Sequence, residues 1–169
     1  MPESRLPILA LSVLFAGSCL AQAPVPTGCD SKEARQFDFW LGDWALYYQG
    51  GSSFNRITAS HGGCVIQEHF TGAPGSKLNG LSVSAFDRNA GRWKQTWVDN
   101  TGAYLDFTGG FADGRMVLER EAEQAGRKFR QRMVFQDIAA DSLKWLWQRS
   151  DDGGKSWETK WEIEYKRIK

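Results

Sequence analysis

The sequence predicts an all-β fold: an antiparallel, up-and-down β-barrel of about ten strands, with a short N-terminal helix closing one end. Three observations predict it. From Phe39 onward apolar and polar residues alternate in runs of six to ten, the period of strands with one buried face. The runs are separated by Asp87-Arg88-Asn89-Ala90-Gly91, Asn100-Thr101-Gly102, Ala112-Asp113-Gly114 and Asp151-Asp152-Gly153-Gly154, which suit the φ > 0 positions of tight turns. Such short links join antiparallel neighbours, and a meander this long leaves two exposed edges that closure removes. A two-sheet sandwich fits the same alternation and is the architectural alternative.

The first segment reads as a targeting signal. Arg5 precedes an apolar run from Leu6 to Ala16, and small residues lead to Ala21-Gln22-Ala23, an A-x-A cleavage site. Residues 1–23 are therefore expected to be a signal peptide, cleaved near Ala23 on export to the periplasm or the medium. The run falls short of the ~20 residues that span a bilayer, so no stable membrane span is expected. An uncleaved anchor is one alternative. Lipidation at Cys19 is another, although Ala16 stands where a lipidated cysteine expects Leu. Residues 24–28 form a linker, and 29–169 a single barrel domain.

After cleavage Cys29 and Cys64 remain, an even pair in an oxidising compartment, and a disulfide between them is expected. It would close a loop of roughly 35 residues, worth ~3 to 4 kcal/mol. Two free thiols are the alternative, and two cysteines without nearby ligand spacing do not make a metal site.

From Asp30 to Phe37 a capping residue and good helix formers support one or two helical turns. Strands follow near 40–48, 54–60, 63–70, 80–87, 92–99, 103–110, 115–122, 128–136, 143–150 and 156–166. Strand parity places Trp157, Thr159, Trp161, Ile163 and Tyr165 on one side, which is expected to face inward. It groups Phe129, Gln131, Met133 and Phe135 in the same way, and also Trp93, Gln95, Trp97 and Asp99, and Leu143, Trp145, Trp147 and Arg149.

Phe37-Asp38-Phe39-Trp40-Leu41-Gly42-Asp43-Trp44 sets a Gly-x-Trp at the first strand, just after the helix, so that the helix caps the barrel while an indole packs beneath it. The stretch resembles the opening motif of lipocalins and the wider calycins. More closely, the chain resembles a family of secreted bacterial proteins that opens with Phe-Asp-Phe-Trp-x-Gly-x-Trp. The resemblance extends through Gly63, Cys64 and Glu68, through Trp93, Gln95, Trp97, Val98 and Asp99, and through Ser150 to Trp157, covering nearly all of 29–166. It implies a calycin-like barrel and no particular activity. Ser150 to Trp157 is also similar to the Asp-box of sialidase-like propellers, which stabilises a hairpin; a propeller would repeat it, and here it occurs once.

With 21 basic and 20 acidic residues the net charge is +1, which argues against a nucleic-acid partner. Arg115, Arg120, Arg127, Lys128, Arg130 and Arg132 alternate with Glu119, Glu121 and Glu123, most simply a solvated strand face, with binding to an anionic surface as the alternative. His-Glu-x-x-His, Cys-x-x-Cys, phosphate-loop and Gly-x-Ser-x-Gly motifs are absent. No cofactor is expected. A haem barrel of the nitrobindin sort would need an inward histidine, whereas His69 has the parity opposite to Glu68 and His61 sits at a turn.

Cys64, Ile66, Glu68 and Phe70 share a face, so Glu68 is expected to project into the lumen with Arg149 as the cation best able to match it. With Gln95, Trp97, Gln131 and Trp147 these would form an aromatic cavity of ~300 Å³ or more with a few convergent polar groups, the usual composition of a small-molecule site. The expected function is binding of a small, partly apolar ligand, without catalysis. The alternatives are an enzyme using Glu68 as general acid or base, and a structural or interaction protein in which Glu68 and Arg149 merely pair inside a filled core. The sequence specifies neither a particular ligand nor an oligomeric state.

Overall fold

The structure, a computed structural model, describes residues 29–169; the expected signal peptide, the Cys19 alternative and the linker lie outside the described residues. The fold is all-β. Its ten strands are β1 (Gly42–Tyr48), β2 (Gly51–Ser60), β3 (Val65–Thr71), β4 (Asn79–Asp87), β5 (Arg92–Asp99), β6 (Tyr104–Ala112), β7 (Arg115–Gln124), β8 (Arg127–Gln136), β9 (Ser142–Ser150) and β10 (Glu158–Arg167). Each pairs antiparallel with its sequence neighbours, and β1 pairs with β10 to close the barrel, which excludes the sandwich.

The short N-terminal helical segment is present as expected, in the form of two 3₁₀ turns, Glu33–Arg35 and Asp38–Trp40. They form an aromatic plug. Phe37 stacks on Trp40 at 5.0 Å and meets Trp93 and Phe135 edge-on at 5.3 and 5.1 Å, placing the plug between the start of β5 and the end of β8. Buried indoles need hydrogen-bond acceptors, and here the backbone supplies them: Trp44 Nε1 donates to the Trp40 carbonyl at 2.8 Å and Trp93 Nε1 to that of Glu33 at 3.2 Å. The Arg167 guanidinium lies 4.1 Å above the Trp44 ring and donates to the carbonyls of Phe39 and Leu41. Gly42 has φ +121°, and an added Cβ would collide with that guanidinium, which is why glycine stands in the Gly-x-Trp motif. The Cys29–Cys64 disulfide and an Arg35 hydrogen bond to the Gly63 carbonyl tie the plug to the β2–β3 turn.

Two local features depart from simple alternation. β10 carries a bulge between Thr159 and Trp161, so its parity changes there. Trp161, Ile163 and Tyr165 point inward as expected, whereas Trp157 and Thr159 do not. Thr159 accepts a hydrogen bond from Gln148, which in turn accepts one from Arg132, and the Trp157 ring lies 4.0 Å beneath the Arg132 guanidinium. On β4 the buried residues are Ser82 and Ser84, while Leu81 and Val83 are 41% and 40% exposed.

With the plug filling one end, the other carries the links 49–50, 72–78, 100–103, 125–126 and 151–157. The last of these is the Asp-box turn. Asp152 accepts hydrogen bonds from the Ser150 and Ser156 hydroxyls and from the Lys155 and Ser156 amides, which hold its carboxyl far below its ordinary range.

Candidate ligand-binding site

Below the plug the lumen is not filled. A cavity of about 220 Å³ is lined by the indoles of Trp40, Trp97, Trp145, Trp147 and Trp161, by Phe70, Phe107, Phe135 and Tyr165, and by Glu68 and Asp99. It is smaller than the sequence led one to expect because five indoles share the space. Trp40, Phe135 and Tyr165 stand nearest the plug; Trp97, Asp99, Leu105, Trp147 and Trp161, all partly exposed, stand nearest the open end. Trp145 and Trp147 stack with planes 13° apart, and Trp161 meets Trp145 edge-on at 5.7 Å. Gly80 makes room for the Trp97 ring, which lies where its Cβ would be.

Cross-strand register builds the polar floor. Glu68 on β3 lies opposite Ser82 on β4, and Asn55 on β2 is the diagonal neighbour, opposite Phe70. The Ser82 hydroxyl donates to Glu68 Oε2 at 2.7 Å and the Asn55 amide to Oε1 at 2.6 Å; the same amide reaches the Tyr165 hydroxyl at 3.2 Å. Burial pushes the Glu68 carboxyl up to about 7, the two hydrogen bonds opposing it only in part. Burial also raises the Tyr165 phenol well above its ordinary value, reinforced by the Glu68 charge. The indole of Trp40 lies beside that hydroxyl and partly offsets the rise.

Of the residues singled out by parity, Glu68, Trp97 and Trp147 meet on this cavity. Gln95, Gln131 and Arg149 do not line it. Gln95 is buried but donates to Ser84 at 2.8 Å, and Gln131 accepts from Arg120 at 2.9 Å. Arg149 does not pair with Glu68. It is the penultimate residue of β9, opposite Glu158, where it bonds Asp151 at 2.6 Å and stacks 3.7 Å over Phe129. Neutral Asn55 and Ser82 take the role expected of it, since a carboxylate can be satisfied by dipoles as well as by a cation.

Asn55, Ser82, Tyr165, Trp40, Asp99, Trp145 and Trp161 are among the site residues that sequence reasoning did not assign to the cavity. Tyr165 was legible by parity, but Asn55 and Ser82 sit inward where a polar residue ordinarily reads as outward. His61 and His69 are both exposed, so neither is placed as a haem ligand in the lumen, and no group of three or more His, Cys, Asp or Glu among the described residues could hold a metal ion. No helix among the described residues is long and apolar enough to cross a membrane. On the basic face Arg130 pairs with Glu119.

Residues 50–167 match a protein family described as a protein of unknown function, DUF1579. No curated protein matches the chain.

Proposed function

The chain belongs to this DUF1579 family, and we propose that it is an exported, lipocalin-like barrel that binds a small, partly apolar molecule in its lumen. The observation that carries this reading is the unfilled, indole-lined space of about 220 Å³ at the unplugged end. Protein interiors are otherwise packed to the density of organic crystals, so a void of this size in a small domain is costly unless occupied or useful. An apolar cavity of ~150 Å³ takes benzene, so this one suits a single ring with a short substituent. The disulfide fits export.

The test is native mass spectrometry of protein purified from its own host, followed by denaturing extraction. A retained molecule of single-ring size supports the reading. A clean apo mass, together with indole fluorescence unmoved by millimolar single-ring compounds, overturns it.

Glu68 favours a second reading, that of a general acid or base. A carboxyl brought to about 7 at the floor of a cavity is poised to exchange protons with a bound molecule near neutral pH. Incubating the retained ligand with the protein in deuterated water tests it. Deuterium entering a ligand C–H bond with wild type but not with Glu68→Gln supports proton transfer; no incorporation removes it.

A further inference from the structure

Resting on the lumen-binding reading, we propose that the ligand is a small organic cation, a positively charged nitrogen carried on an apolar body. The charge balance of the cavity points there. The charged side chains on its lining are Glu68 and Asp99, and no Lys, Arg or His among the described residues lines it. The two carboxylates are placed at opposite depths, Glu68 beside Asn55 and Ser82 at mid-barrel and Asp99 at the last position of β5 near the open end.

Asp99 is held as an anion. Burial raises its carboxyl, but hydrogen bonds from the Thr101 hydroxyl and amide, from Trp97 Nε1 at 2.9 Å and from the Ala103 amide outweigh that and keep it below the ordinary value. One Asp99 oxygen therefore fixes the Trp97 ring, so the carboxylate and an indole wall are presented together at the entrance. Glu68 accepts one hydrogen bond on each oxygen and keeps further lone pairs on both.

Between the two carboxylates the walls are indole and phenyl rings, whose faces carry negative charge density and attract cations, most strongly where water is excluded. Trp145, Trp147 and Trp161 meet one another on one side of the cavity, with Phe107 edge-on to Trp147 at 5.8 Å. Arg120, whose guanidinium stands 5.8 Å from the centre of the lining Phe107 ring, bonds Gln131, and Arg149 bonds Asp151. An anionic ligand would have to displace one of these pairings and enter a lining where Asp99, and Glu68 once ionised at pH 8, repel it.

Three molecules of the same size and different charge test this on the disulfide-bonded protein: benzylammonium, benzyl alcohol and benzoate, titrated by isothermal calorimetry and indole fluorescence at pH 8. The expected order is benzylammonium tightest, by about tenfold or more over benzyl alcohol, with benzoate weakest. Glu68→Gln and Asp99→Asn should each narrow the ratio between benzylammonium and benzyl alcohol affinity toward parity, whatever each does to binding of the neutral alcohol. The two variants are independent, so a folding defect in one leaves the other decisive. Equal binding of all three, or benzoate binding tightest, overturns the cation assignment and leaves lumen binding standing. Failure of all three to bind overturns both.

Discussion

At Glu68 burial and hydrogen bonding pull against each other, and burial wins, bringing the carboxyl from 4.5 to about 7. The sign of the consequence follows. The unfolded chain releases this proton near 4.5 while the folded protein keeps it, so Glu68 costs no stability below 4.5, costs progressively more up to about 7, and adds nothing further above. The full penalty is about 3 kcal/mol. Glu68→Gln is predicted to gain stability relative to wild type as pH rises across that window, as measured by urea unfolding at pH 4.5, 6 and 8; a difference that does not change with pH would contradict the burial account. Gly42 gives a second prediction at this scale. Gly42→Ala imposes a side chain at φ +121° against the Arg167 guanidinium, which should cost on the order of 2 kcal/mol or more and lower Tm by several degrees. An unchanged Tm would mean that the Arg167 and Trp44 stack is not needed at the closing seam. Residue-scale reading of the sequence reached Glu68, Trp97 and Trp147 because parity survives along an unbroken strand. It missed Asn55 and Ser82 because an inward polar residue has no signature until its partner across the register is known.

Among the elements, the plug couples the disulfide to the site. Trp40 is both the end of the second 3₁₀ turn and part of the cavity floor, and the Cys29–Cys64 bridge holds the start of that segment to the β2–β3 turn. Replacing both cysteines with serine is predicted to cost about 3 kcal/mol in unfolding free energy and to weaken single-ring binding, with protease sensitivity appearing first before Phe37. Stability lost without any change in binding would separate the bridge from the floor. The strand ends were legible because Gly, Asn and Asp clusters carry their own turn chemistry. Two things were not. The β10 bulge is one residue hidden in an even alternation, and it sends Trp157 to the outside, under Arg132, where parity alone sends it inward. β4 buries Ser82 and Ser84 and exposes Leu81 and Val83, the reverse of its hydrophobic pattern, since the carboxyl of Glu68 on the neighbouring strand needs a hydroxyl more than the lumen needs another methyl.

The described residues form a barrel closed by one seam, β1 against β10, with aromatic side chains filling the plugged end and walling a cavity toward the other. Closure was legible from the short links and the two edges they would otherwise leave exposed. Cavity size was not, because volume depends on how five indoles share a lumen, which no strand pattern records. Arg149 was placed in the site because parity gives its side of the sheet but not its height, and at the end of β9 it finds Asp151 and Phe129 before it can reach Glu68. The central claim, an accessible indole-walled lumen, is tested most directly by following the indole N–H resonances of all eight tryptophans during titration with benzylammonium and with benzyl alcohol. Shifts at Trp97, Trp145, Trp147 and Trp161, with Trp44, Trp93 and the outer Trp157 unmoved, are the predicted result. Saturable shifts confined to Trp157, or none at any indole, would contradict it.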